Sequence, residues 1–94
     1  MALYSLKFHP DFVDELAYAI DYYNKQAPNL GKRFRYAVKK QLILLKKSPL
    51  IKSIRYDDIR LARIEKFPYA IHYFMDLTNN WVLVHSLTCD YQKS

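Results

Sequence analysis

The segment Val84–Ser94 reads VHSLTCDYQKS and places His85, Cys89, Asp90 and Tyr91 within seven residues. Thiol hydrolases, transferases and metal sites are made from these side chains: an imidazole to take a proton, a thiolate to attack, a carboxylate to orient. That chemistry requires proximity, since a Cys–His pair shares a proton only when its atoms lie about 3 Å apart. In an extended strand four residues span about 13 Å. His85 and Cys89 then share a face without touching, and Asp90 faces away from both. A metal centre needs three or four converging ligands, and His9 and His72 are the only other imidazoles in the chain. No metal and no other cofactor is expected.

One further grouping is possible. His72 and His85 lie in consecutive apolar segments joined by residues 76–80, so they can be cross-strand neighbours. Arg60 or Arg63 would add a guanidinium suited to phosphate. Alternatively, each imidazole sits at a sheet surface with an ordinary partner.

Elements must position these groups. LYSLKF (residues 3–8) alternates, with Tyr4, Leu6 and Phe8 on one side, as in a half-buried strand. HPDFVDEL follows as a helix start, with Pro10 at the first helical position and Asp11, Asp14 and Glu15 at the positive end of the dipole. Phe12, Leu16, Ala19/Ile20 and Tyr23 form the core stripe of a helix over about 11–25. Tyr18, Tyr22 and Tyr23 are expected at the core edge. After APNLG, with Asn29 as a cap, a second helix runs over about 30–47 on Leu30, Phe34, Ala37/Val38, Gln41/Leu42 and Leu45. The short connection makes an antiparallel helical hairpin.

Ser48-Pro49 ends that helix. IRLARIE (59–65), YAIHYFM (69–75) and WVLVHSLTC (81–89) are rich in β-branched and aromatic residues and read as strands, with a weaker one at Ile54–Tyr56. Asn79-Asn80 suits a tight hairpin that needs positive φ. The expected fold is one α+β domain over residues 1–94, β-α-α-β-β-β, with the helical hairpin packed on a mostly antiparallel sheet. The last two strands are apolar on both faces: Ile71, Tyr73 and Met75 against Ala70 and Phe74, and Val82 and Val84 against Trp81, Leu83 and Leu87. Helices cover one face, and something else must cover the other.

Composition narrows the class. The chain is 51% hydrophobic and 16% aromatic with one Gly and four Pro, which excludes a disordered or low-complexity protein. A single Cys fits a reducing compartment. There is no signal-peptide pattern at the N-terminus and no apolar run near the ~20 residues of a membrane span, so a cytoplasmic protein with no membrane partner is expected. Fifteen Lys and Arg against nine Asp and Glu give a net charge of +6. The excess is local: Lys32, Arg33, Arg35, Lys39, Lys40, Lys46, Lys47, Lys52 and Arg55 occur in a stretch without an acid. Such a field attracts nucleic acid or an acidic protein; the alternative is a solvated helix face balanced by acids elsewhere.

Tyr22-Tyr23, Pro28-Asn29-Leu30-Gly31-Lys32-Arg33-Phe34, Ser48-Pro49, Ile59-Arg60 and KFPYAIHY (66–73), followed by a hairpin and a last strand, come in an order and at distances that resemble the RelE/ParE family of bacterial type II toxin–antitoxin toxins and plasmid stabilisation proteins. The resemblance covers nearly the whole chain. It implies a toxin held inactive by a cognate antitoxin, which wraps an acidic segment around it and would cover the open sheet face and the basic helix. Lys32, Arg33, Arg35, Lys39, Lys40, Phe74 and Trp81 are the partner-binding candidates. RelE-like members cut mRNA on the ribosome, whereas ParE-like members bind and poison DNA gyrase. The Pro28–Phe34 and Phe67–Tyr73 stretches are more similar to the ParE-like side.

The tail departs from the family. Its usual ending, H-x-x-R-D/N-P, aligned on Asp90 places Ser86, Cys89 and Tyr91 where His, Arg and Pro are expected. The reading is therefore a toxin that acts by binding its target, DNA gyrase in ParE-like members. One alternative is a ribosome-dependent mRNA endonuclease using Arg60, Arg63, His85 and Tyr91. The other is an inactive relative that retains only antitoxin binding.

Overall fold

The computed structural model describes residues 4–89, so Asp90 and Tyr91 lie outside the described residues. In chain order these are β1 (Ser5–Phe8), α1 (Pro10–Gln26), α2 (Leu30–Lys47), a 3-10 turn (Pro49–Ile51), β2 (Ile54–Tyr56), β3 (Ile59–Arg63), β4 (Tyr69–Asp76) and β5 (Trp81–Cys89). The expected α+β arrangement forms, and the weak segment at 54–56 becomes an edge strand. One sheet has the order β1-β5-β4-β3-β2, with β1 parallel to β5 and every other pair antiparallel.

α1 begins as its sequence indicates, with Pro10 in the first turn, and His9 completes the start: its Nδ1 accepts from the Asp11 amide at 3.0 Å. The start of α2 differs from expectation. Asn29 adopts φ 66, and its side chain makes no capping bond. Asn24 of α1 serves instead, its Oδ1 accepting from the Gly31 amide at 3.0 Å. A Cβ at Gly31 would lie 2.4 Å from that oxygen and 2.5 Å from the Ile20 carbonyl. Glycine thus allows the two helices their close approach.

Two turns join the later strands. Asp57 and Asp58 take φ 40 and 65, the signs of a type I′ hairpin between β2 and β3. Between β4 and β5 only Asn80 of the Asn pair has positive φ. Asn79 instead donates its backbone and side-chain N–H groups to the Asp76 carboxylate, at 3.2 and 2.9 Å.

The helical hairpin covers one sheet face, where Phe12, Phe34, Val38, Leu45, Ile71, Tyr73, Val82 and Val84 are buried. Tyr23, Phe34, Phe67 and Tyr69 form an aromatic cluster with ring centroids 5.0–6.1 Å apart. Tyr22 only meets its edge, with its ring centroid 5.4 Å from that of Tyr23, and Tyr18 stands outside it. Tyr18 and Tyr22 are 75% and 49% exposed, because they lie off the Phe12–Leu16–Ala19–Tyr23 stripe. Tyr73 is fully buried and its hydroxyl donates to the Pro49 carbonyl at 2.6 Å. Burial pushes that phenol up to about 12.

One irregularity changes the reading of β5. His72 pairs with Ser86 but Tyr73 pairs with Val84, leaving His85 as the extra residue of a β-bulge. Leu87, expected beside Trp81 and Leu83, therefore joins Val82 and Val84 in the core. Glu15 of α1 accepts from the Leu87 amide at 2.8 Å.

Candidate functional site

Strand register maps the face that the helices leave open. One row runs Phe74–Leu83–Lys7, the next Leu61–His72–Ser86, and the next Arg63–Ala70–Thr88. Asp76 and Trp81 are paired at the far end, and Lys7 Nζ sits 4.8 Å over the Trp81 ring. The face thus has an apolar end around Phe74, Leu83 and Trp81 and a polar end around His72.

His72 holds the polar end together. The Tyr56 hydroxyl lies 2.8 Å from its Nδ1 and Thr88 Oγ1 lies 2.7 Å from its Nε2. Both ring nitrogens are therefore engaged. Burial first, and the nearby His85 second, lower the His72 pKa, so the imidazole is neutral at pH 7. Beside it, Lys52, Ser53, Arg55, Leu61 and Arg63 line a depression of about 300 Å³. Sequence reasoning missed Tyr56 and Thr88. The Asp57-Asp58 turn was the available signal for Tyr56, because it brings β2 back alongside β3.

The nuclease candidates are not gathered into one site. Arg60 pairs with Tyr73, on the helix-covered side, and its guanidinium donates to the Lys52 carbonyl. Arg63 lies on the open face. His85 is exposed at the bulge, with its ring centroid 5.4 Å from that of His9, and lines an apolar pocket with Phe74 and Leu83. Tyr91 lies outside the described residues. His85 and Cys89 no longer share a face, because the bulge sends Cys89 with Leu87 to the helix side. Among the described residues no group of three His, Cys, Asp or Glu converges as metal ligands would, and no helix is long and apolar enough to cross a membrane.

The partner-binding candidates divide as well. Lys32, Arg33 and Lys40 line a groove of about 640 Å³ with Leu30, Tyr36 and Phe67. Arg35 and Lys39 lie on the opposite flank of α2, by helical spacing. Phe74 and Trp81 are half-buried on the open sheet face, behind the layer that carries α2. A single partner must wrap an edge of the sheet to reach both.

Neither a family model nor a curated protein sequence matches the chain. Solved structures do match. The chromosomal ParDE toxin–antitoxin system of P. aeruginosa aligns with a TM-score of 0.80 at 14% identity, over 93% of this chain and 96% of that one. The RelBE2 toxin–antitoxin complex of Mycobacterium tuberculosis gives 0.67 at 20% identity, over 93% and 98%. The isolated E. coli RelE toxin gives 0.65 at 19%, over 97% and 88%. The described chain has the RelE/ParE toxin fold. Among these three likenesses, the one to ParDE is the greatest.

Proposed function

We propose that this protein is the toxin of a type II toxin–antitoxin module, that it acts by binding its target, DNA gyrase as in ParE-like members, and that a cognate antitoxin neutralises it. The observation that carries this reading is the TM-score of 0.80 with the ParDE system, against 0.67 and 0.65 for the two RelE structures. The open face supports it. A general base must reach a substrate proton, yet both nitrogens of His72 are occupied by hydroxyls of the chain itself.

A second reading, a ribosome-dependent mRNA endonuclease, is favoured by one observation. The Lys52, Arg55 and Arg63 depression lies beside a neutral imidazole. Cations there would stabilise a phosphorane while His72, released from Tyr56 or Thr88, took the 2′-hydroxyl proton.

Expression from a controlled promoter separates these readings. Growth arrest with loss of negative supercoiling and intact transcripts is the expected result. Arrest with cleaved transcripts would establish the nuclease, and undisturbed growth an inactive relative that keeps only antitoxin binding.

A further inference from the structure

The outward side of the helical hairpin is patterned as regularly as its inward side. On α2, Lys32, Tyr36, Lys39 and Ile43 follow at i, i+4, i+7 and i+11, opposite the buried Phe34, Val38 and Leu45. On α1, Asp14, Ala17, Tyr18 and Asp21 follow at i, i+3, i+4 and i+7, opposite the buried Phe12 and Ala19. All of these outward residues are exposed, Tyr18 by 75%, Tyr36 by 67% and Ile43 by 46%. One helix thus shows two carboxylates and the other two ammonium groups, each pair about 10 Å apart along its helix. Apolar surface lies between them.

The close approach at Gly31 fixes how the two stripes align. Gly31 faces α1 at Ile20 and Asn24. The helices are antiparallel, so Asp21 lies level with Lys32 and Asp14 with Lys39. Both members of each pair point away from the sheet, and neither closes on the other. Asp21 pairs with Lys25 of its own helix at 3.0 Å, and Asp14, Lys32 and Lys39 make no ion pair among the described residues.

Charge selects the occupant. Nucleic acid or an acidic protein would meet Asp14 and Asp21 beside the lysines, and a basic protein would meet the lysines. A second copy, laid face to face about a two-fold axis parallel to the helices, sets α1 over the other copy's α2 at the same level. Asp14 then meets Lys39 of the second copy, Asp21 meets Lys32, and Tyr36 rests on Ala17 and Tyr18. Symmetry repeats each contact. The facing helices run antiparallel, which also suits their dipoles. A two-fold axis across the helices would instead stack acid on acid and base on base.

We propose that the outward face of α1 and α2 is a self-complementary surface, through which two copies of the chain pair as a four-helix layer between two sheets. Helices about 25 Å long give roughly 500 Å² per copy, at the low end of specific interfaces. The pairing is therefore weak and reversible. It hides Lys32 and Lys39, so a partner that needs those lysines meets only the monomer. The inference does not depend on the toxin reading.

The test is sedimentation of the full chain from ~5 to ~500 μM, a range suited to so small an interface. Wild type is expected to pass from monomer to dimer mass as concentration rises. Asp14→Lys and Lys39→Glu each oppose like charges twice in such a dimer, so each should raise the dissociation constant by about tenfold or more. Mixed in equal amounts, the two variants set opposite charges against each other at both positions. The mixture should therefore dimerise to within about threefold of wild type. Thermal melts check the folds. Tyr36→Ala leaves the charges alone and should weaken the dimer by about fivefold; it decides the question if a charge variant does not fold. Wild type that stays monomeric throughout, variants that dimerise as wild type does, or a mixture no tighter than its components would each overturn the proposal.

Discussion

The two faces of the sheet are built from the same strands and differ in kind. On the covered face every large side chain at the centre is buried, from Phe34 of α2 to Val84 of β5, and the one fully buried hydroxyl among the described residues, on Tyr73, is bonded to a carbonyl. On the open face the side chains are half-buried and mixed, with Phe74 and Leu83 beside His72 and Thr88. The bulge at His85 sharpens the contrast by moving Leu87 to the covered side and leaving an imidazole on the other. One face holds the fold together; the other is left uncovered by the helices.

Substitutions on the covered face should cost the most. Phe34→Ala is expected to lose about 3–5 kcal/mol in denaturant unfolding, through lost burial and the cavity left inside the aromatic cluster. That is a large share of the roughly 5–15 kcal/mol of a domain this size. A proportionate shift at Leu83→Ala on the open face would erase the distinction between the faces. We expect that variant to lose under about 1.5 kcal/mol, since the side chain already meets water.

Intermediate effects probe single contacts. Tyr73→Phe keeps the ring and leaves the Pro49 carbonyl without its donor, so it should cost about 1–3 kcal/mol in the same measurement. Gly31→Ala tests the helix contact. Alanine ordinarily favours a helix over glycine by about 0.5–1 kcal/mol. Here its Cβ would press on Asn24 and the Ile20 carbonyl, so a lowered unfolding midpoint is expected. A raised midpoint would show that the hairpin can open at little cost.

The smallest effect concerns pH. The His72 pKa is lowered in the folded chain, by burial first and by His85 second. Below the ordinary imidazole value of 6.5 the unfolded chain therefore binds more protons than the folded one. The stability tied to neutral His72 is fully present above that value and falls as pH drops through the lowered one. Unfolding midpoints at ~pH 7 and ~pH 5 should differ less in His72→Gln than in wild type. An unchanged difference would mean that the Tyr56–His72–Thr88 chain does not set the titration.

How much of this was legible in the sequence follows from where the information is local. Helical spacing identified the stripes of α1 and α2, and β-branched runs identified β3, β4 and β5, because each pattern repeats within one element. Asn29 misled because its type suits a cap, whereas Asn24, seven residues before the amide it accepts from, takes that role through tertiary approach. Leu87 was assigned to the wrong face because alternation fails at a bulge, and nothing in the residue types around His85 announces the extra residue. The open-face network was the least visible part. Tyr56, His72 and Thr88 are far apart in the chain and meet only through strand register. Arg60 and Arg63, three residues apart in β3, fall on opposite sides by strand alternation alone.

The most direct test of action by binding, without cleavage, is made on the purified protein. It is titrated into a DNA gyrase supercoiling reaction and, in parallel, into a translating extract whose message is followed by primer extension. We expect supercoiling to fall with added protein while the message stays full length. Cut message with supercoiling untouched would contradict the proposal and assign the open face to RNA chemistry.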